Sequence, residues 1–251
     1  MKLLLALQFL TRIPVTVRAP VRDRDMAGSM AYFPLVGLLL GASAAGVNIL
    51  LSTVFSPPVC DLFSIVFLVL ITGNMHTDGL MDAADGLFSG KPGERALEIM
   101  KDSRVGSHGV TAGVLVLLSK FVLLWQLPQE AKAVSLVLFP ALGRWSQVYA
   151  AAAHPYARPG GGTGGFTDHV GTREVLLASA ITLAAAAVPL GPKGAVPAAA
   201  ALLGTIALGR FMSRKIGGMT GDTLGAISEC VEVLALLSMH IVYIYSGTFL
   251  S

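Results

Sequence analysis

Charge is what this sequence has least of. Asp, Glu, Lys and Arg make up 13% of its 251 residues, and hydrophobic residues make up 54%. A water-soluble domain of this size carries about 25% charged residues. So little charge excludes an ordinary water-facing globule and points to lipid as the solvent. Cysteine is nearly absent too. Cys60 and Cys230 lie in different regions at no metal-ligand spacing, which excludes a disulfide framework and a zinc site. No Gly-Lys-Ser/Thr follows the glycine-rich stretch Arg158–Phe166, so it is not a Walker loop and reads as a mobile flap. The first ten residues are apolar apart from Lys2 and Gln8. They are too short for a secretory leader and lack a small-residue cleavage site, so they read as an amphipathic or re-entrant piece at the cytoplasmic face. Internal repeats are missing, and low complexity is confined to alanine-rich stretches at 184–187 and 198–201.

Long apolar runs, by contrast, are abundant. Residues 31–54, 62–75, 108–127, 133–152, 174–190, 195–209 and 226–246 are nearly free of charge. Several approach the roughly 20 residues a helix needs to cross a bilayer. The expected fold is all-α: one domain over residues 1–251, a polytopic integral membrane helical bundle. It has about seven transmembrane helices plus the short N-terminal interfacial helix. Basic residues give the orientation. With seven spans, one set of loops holds fourteen Lys and Arg and the other only Lys132 and Lys193, with Lys120 and Arg144 inside spans. The positive-inside rule then places the N-terminus in the cytoplasm.

The acids gather on the same face. Asp78, Asp82, Asp85, Glu94, Glu98, Asp102, Asp168 and Asp222 lie in or beside the inner loops, whereas Asp61 and Glu130 fall outside. A transporter places ionisable groups near the midplane. Crowding at one face favours chemistry at the cytoplasmic boundary instead.

Three segments carry that chemistry. In His76-Thr-Asp-Gly-Leu-Met-Asp-Ala-Ala-Asp-Gly86, continued helix puts Asp78, Asp82 and Asp85 at i, i+4 and i+7, on one face. Carboxylates so placed repel unless a cation sits among them, and oxygen ligands suit Mg²⁺ or Mn²⁺. His76 could assist proton transfer or contact phosphate. The segment Glu98 to Gly109 adds Asp102 as a further metal ligand. It also supplies Lys101, Ser103 and Arg104 as groups for phosphate oxygens. The segment Gly217 to Gly225 adds Asp222 as a metal ligand or hydroxyl-positioning group, with Arg214 just before it. Glu229 and Glu232 then lie inside an apolar run and need partners; Arg144, inside the fourth span, either pairs with an acid or snorkels.

These segments resemble the cobalamin synthase family, the adenosylcobinamide-GDP ribazoletransferases. The likeness runs nearly end to end, through Leu7–Pro14, Tyr32–Gly37, His76–Leu87, Ile99–Gly106 and Gly217–Ala226. Thr77 stands where the family usually has Leu, and Met81 where it often has Ala; neither touches a carboxylate. The resemblance implies a cytoplasmic-membrane enzyme of bacteria or archaea with its active site inside. It would join adenosylcobinamide-GDP to α-ribazole or its 5′-phosphate, release GMP and require Mg²⁺. The metal ligands would be Asp78, Asp82, Asp85 and Asp102. The general base would be Asp222, Asp85 or His76, and Lys101, Ser103, Arg104 and Arg214 would bind substrate. No nucleic-acid partner is expected, and a homo-oligomer is compatible with the sequence. Asp82-Ala-Ala-Asp85-Gly86 also echoes the CDP-alcohol phosphotransferases, without the Ala-Arg that follows in their motif. A lipid enzyme of that kind and a transporter are the rival classes.

Overall fold

A computed structural model describes residues 1–158 and 164–244. Most of the glycine-rich stretch after Arg158, read above as a flap, therefore lies outside the described residues. The described residues form helices and no strand, apart from one isolated backbone bridge between Tyr156 and Met219.

The helices follow in order: α1 (Lys2–Leu10), α2 (Asp23–Met30), α3 (Phe33–Leu51), α4 (Pro57–Thr72), α5 (Met75–Phe88) and α6 (Gly93–Ile99). Then come α7 (Ser107–Gln126), α8 (Gln129–Ala153), α9 (Thr172–Leu190), α10 (Ala195–Ile216) and α11 (Gly221–Ile244). Among the described residues, each of the seven apolar runs overlaps one of the longer helices, and the 62–75 run continues past the end of α4 into the bend before α5. Phe33–Leu51, Ser107–Gln126, the joined stretch Thr172–Ile216 and Gly221–Tyr243 are long and apolar enough to cross a membrane. With the bent pair α4 and α5 counted as one span, there are five. A 3₁₀ turn, Gly191–Gly194, joins α9 to α10, and Gly194 packs back against Ala186.

Small residues set how closely the bundle packs. A Cβ on Gly37 would sit 2.6 Å from Ala141 Cα, and one on Gly41 would sit 2.4 Å from the Leu136 carbonyl oxygen. Pro140 lacks the N–H that would otherwise bond that carbonyl, so α3 presses its glycine face on α8 where α8 is interrupted.

One bend decides where the site lies. α4 ends at Gly73 (φ 64°) and α5 starts from Asn74 (φ 62°). Two successive left-handed residues swing the chain through 85°. Glycine takes that conformation freely, and asparagine tolerates it better than most side chains. The Arg12 N–H donates to the Ile71 carbonyl (2.7 Å), which ties α1's exit to the bend. α5 therefore leaves the direction of α4 and carries its acids to the bundle's edge.

At the other end, Asp61 and Lys132 are not loop residues. Both are buried in the opening turns of α4 and α8 and pair with each other. Asn48 donates to Asp61 (3.0 Å) and Ser64 (3.1 Å), completing the cluster.

Candidate active site

The site forms where α5 crosses the start of α11. Gly79 faces the Asp222 backbone, and a Cβ there would sit 3.0 Å from Asp222 Cα. Gly225 faces His76, whose carbonyl oxygen would be 3.1 Å from an added Cβ. This near backbone contact brings Asp222 up to the acidic face of α5. Arg158 donates to Asp222 Oδ2 (2.5 Å), and Thr220 Oγ1 donates to the same oxygen (3.3 Å). Two backbone bonds hold Arg158's segment in place: Ala157 N–H to the Met219 carbonyl and Met219 N–H to the Pro155 carbonyl, each 2.8 Å.

A cavity of about 240 Å³ opens beside this crossing. Its polar wall includes His76, Asp78, Asp222, Gln147 and Thr167, and its apolar wall includes Phe9, Met30, Phe33, Phe166 and Leu224. Phe9 stacks on Phe33 (centroids 5.8 Å apart) and meets Phe166 edge-on (5.7 Å). The N-terminal helix thus forms part of the cavity wall. Apolar lining with a few converging polar groups is the usual make-up of a small-molecule site.

The three aspartates of α5 have different surroundings. Asp78 is exposed at the cavity, and Asp82 is half-buried. Partial burial and the nearby carboxylates of Asp78, Asp222 and Asp85 push Asp82 up to about 6, while Arg158 opposes the rise. Asp85 is engaged elsewhere as well: its oxygens accept the backbone N–H groups of Gly106 (2.7 Å) and Gly109 (2.8 Å). It thereby satisfies orphan donors at the start of α7.

Asp102 is engaged within its own loop. Its carboxylate takes Arg104 Nη2 (2.7 Å), Arg104 Nε (3.0 Å) and the Arg104 backbone N–H (3.0 Å). That pairing holds its carboxyl down at about 2. Among the described residues, no three His, Cys, Asp or Glu side chains converge as a metal-binding group. The expected set of Asp78, Asp82, Asp85 and Asp102 is therefore not drawn to one point. Lys101, Ser103 and Arg104 lie exposed before α7, and Arg214 is exposed on α10 in a surface hollow with Arg210, Phe211 and Lys215. Lys215 donates to the Leu87 carbonyl and lies over the rings of Phe88 (5.6 Å) and Phe211 (5.7 Å), fastening α10 to the end of α5.

Beneath the cavity lies a buried ionic cluster. Lys120 donates to Glu229 (2.8 Å) and Glu232 (2.5 Å), and Arg144 pairs with Glu232 and reaches His76 Nδ1 (3.3 Å). Arg144 thus pairs with an acid rather than snorkelling. Sequence position alone names no partner for Lys120. The signal was there: a lysine inside an apolar run needs a counter-ion, and two unassigned glutamates stood in another run. Arg158 and Gln147 carried no comparable signal.

Among the described residues, four or five spans' worth of apolar helix and a carboxylate-lined, half-apolar cavity define a polytopic helical membrane protein. Comparison with known proteins specifies it further. The chain belongs to the cobalamin-5-phosphate synthase family, whose profile matches residues 2–240. An adenosylcobinamide-GDP ribazoletransferase of Desulforamulus reducens is 40% identical over 228 residues, 91% of each chain. One from Geotalea daltonii is 40% identical over 234 residues, covering 93% of this chain and 94% of that one. One from Klebsiella pneumoniae is 39% identical over 238 residues, covering 93% and 97%. No solved structure matches this chain.

Proposed function

We propose that this protein is an adenosylcobinamide-GDP ribazoletransferase. It joins adenosylcobinamide-GDP to α-ribazole or its 5′-phosphate and releases GMP, late in cobalamin synthesis. The observation that carries this reading is the family match along nearly the whole chain, with Asp78 and Asp222 lining the cavity and Asp82 close enough to feel both. The enzyme sits in the cytoplasmic membrane with seven spans and its N-terminus inside. Three facts support that topology: each of the seven apolar runs overlaps a long helix among the described residues, α10 turns back on α9 at Gly194, and basic residues divide fourteen to two.

A divalent cation fits the acidic face. Asp82 is crowded by carboxylates that Arg158 partly offsets, so a cation there relieves repulsion. Mg²⁺ typically takes one or two carboxylates and completes its shell with water and substrate phosphate. Asp78 and Asp82 would hold it, with Asp222 opposite, and Asp85 and Asp102 would remain in their structural pairings. Bound there, Mg²⁺ supplies charge neutralisation at the pyrophosphate.

The chain's own residues do the rest. Asp222, oriented by Arg158, accepts the proton of the ribose 3′-hydroxyl. That oxygen forms a bond to the phosphorus next to the aminopropanol arm, and the bond from that phosphorus to the oxygen of GMP breaks. Lys101, Ser103, Arg104 and Arg214 bind phosphate oxygens of the guanosine end. The apolar wall of Phe9, Phe33 and Phe166 packs against the corrin and keeps water from the phosphorus. The test is donor choice by the purified protein: a guanosine donor is turned over and a cytidine-diphosphate alcohol is not. Turnover of the cytidine donor alone would assign the chain to the lipid-enzyme class.

A further inference from the structure

The buried cluster beneath the cavity bears on how His76 is used. Lys120, Arg144, Glu229 and Glu232 are each no more than 5% exposed. Two cations face two carboxylates, so the cluster is neutral overall, which is what allows it to be buried. Glu232 is shared, giving Oε2 to Lys120 and Oε1 to Arg144. Arg144, held through Nη1, extends Nη2 to within 3.3 Å of His76 Nδ1.

A guanidinium carries five N–H donors and no acceptor. Its contact with Nδ1 therefore requires the imidazole to present a lone pair there, and the ring's single proton sits on Nε2. A doubly protonated ring would set N–H against N–H and one cation against another. His76 itself lines the cavity with Asp78 and Asp222. Among the described residues, the only hydrogen-bond partner of its ring is Arg144. The edge bearing Nε2–H is thus left for a ligand.

We propose that His76 donates a hydrogen bond through Nε2–H to a phosphoryl oxygen of the substrate. Arg144 and Glu232 are positioning residues that fix its tautomer and ring. This rests on the ribazoletransferase reading and replaces the role of proton acceptor considered for His76. A donor aimed at an oxygen that gains charge in the transition state contributes to kcat, and losing one costs roughly 100-fold or more.

Two measurements test it. The first uses the amide replacements, because Gln places its N–H near the position of Nε2 and Asn places its own near Nδ1. His76→Gln is expected to keep kcat within about fivefold of the parent, while His76→Asn and His76→Ala lose roughly 100-fold, with the KM for the donor little changed. Gln as inactive as Ala, beside an active parent, overturns the proposal. The second reads the tautomer without any reaction. Replacing His108, His154, His169 and His240 leaves His76 as the only histidine, and nitrogen-15 labelling then shows which ring nitrogen carries the proton. A proton on Nε2 in the parent background, lost to a mixture in Glu232→Gln, supports the proposal. A proton on Nδ1 overturns it. A parent that releases no GMP refutes the ribazoletransferase reading, while the nitrogen-15 result still decides the geometry at His76.

Discussion

Asp85 on α5 caps α7 from 21 and 24 residues away in sequence, by accepting the N–H groups of Gly106 and Gly109. The two glycines exist for this contact, since a Cβ on either would sit 2.4 Å from an Asp85 oxygen. Asp85→Ala strips the start of α7 of its acceptor and is expected to cost about 1–3 kcal/mol. Asp85→Asn, which keeps one acceptor oxygen, costs less. Thermal unfolding in detergent checks the order, and equal melting of Asp85→Ala and the parent contradicts the capping role.

Asp82 behaves differently, because its ordinary value of 3.8 is raised to about 6 by burial and by other carboxylates. The folded chain therefore holds a proton that the unfolded chain releases. Stability from this group is present at low pH and lost as pH rises through the folded value near 6. Asp82→Asn carries no charge and escapes that loss. In metal-free buffer at about pH 8 the variant is expected to melt above the parent. Added Mg²⁺ should raise the parent's melting temperature more than the variant's. Identical Mg²⁺ responses in the two proteins contradict a cation at Asp82.

The buried cluster makes a stability prediction separate from its role toward His76. Glu232 serves both Lys120 and Arg144, whereas Glu229 serves Lys120 alone. Removing one partner of a buried pair leaves an uncompensated charge and costs about 3–5 kcal/mol. Glu232→Ala is expected to lower the melting temperature more than Glu229→Ala does. Lys120→Met with Glu229→Gln together should be milder than Glu229→Ala alone, because the change removes both charges. The reverse order contradicts the shared-carboxylate arrangement.

Orientation is tested at Lys91, in the loop after α5. In a chain with Cys60 and Cys230 replaced by serine, a cysteine at 91 is expected to react with an impermeant maleimide only in inverted vesicles. Reaction in intact cells contradicts a cytoplasmic site.

Much of this was legible in the sequence. The seven apolar runs mark the long helices because lipid demands uninterrupted apolar length, and a 3.6-residue period puts Asp78 and Asp82 on one face whatever surrounds them. What was illegible depends on tertiary approach. Asp85 looks like a third ligand until α7 is seen to begin beside it, and Asp102 looks like a fourth until Arg104 takes it. The left-handed pair Gly73 and Asn74 turns α5 out of line, and nothing in the local pattern announces an 85° bend. The aromatic wall joins Phe9, Phe33 and Phe166 from three separate segments, which periodicity cannot bring together.

The most direct test of the account is the stoichiometry of GMP release. Purified protein with adenosylcobinamide-GDP and Mg²⁺ is expected to release GMP only when α-ribazole or its 5′-phosphate is added, with one cobalamin or cobalamin 5′-phosphate formed per GMP. Asp78→Asn and Asp82→Asn should lose that coupled release while Asp102→Asn largely keeps it. GMP release that ignores ribazole, or none at all with both substrates present, would contradict the assignment.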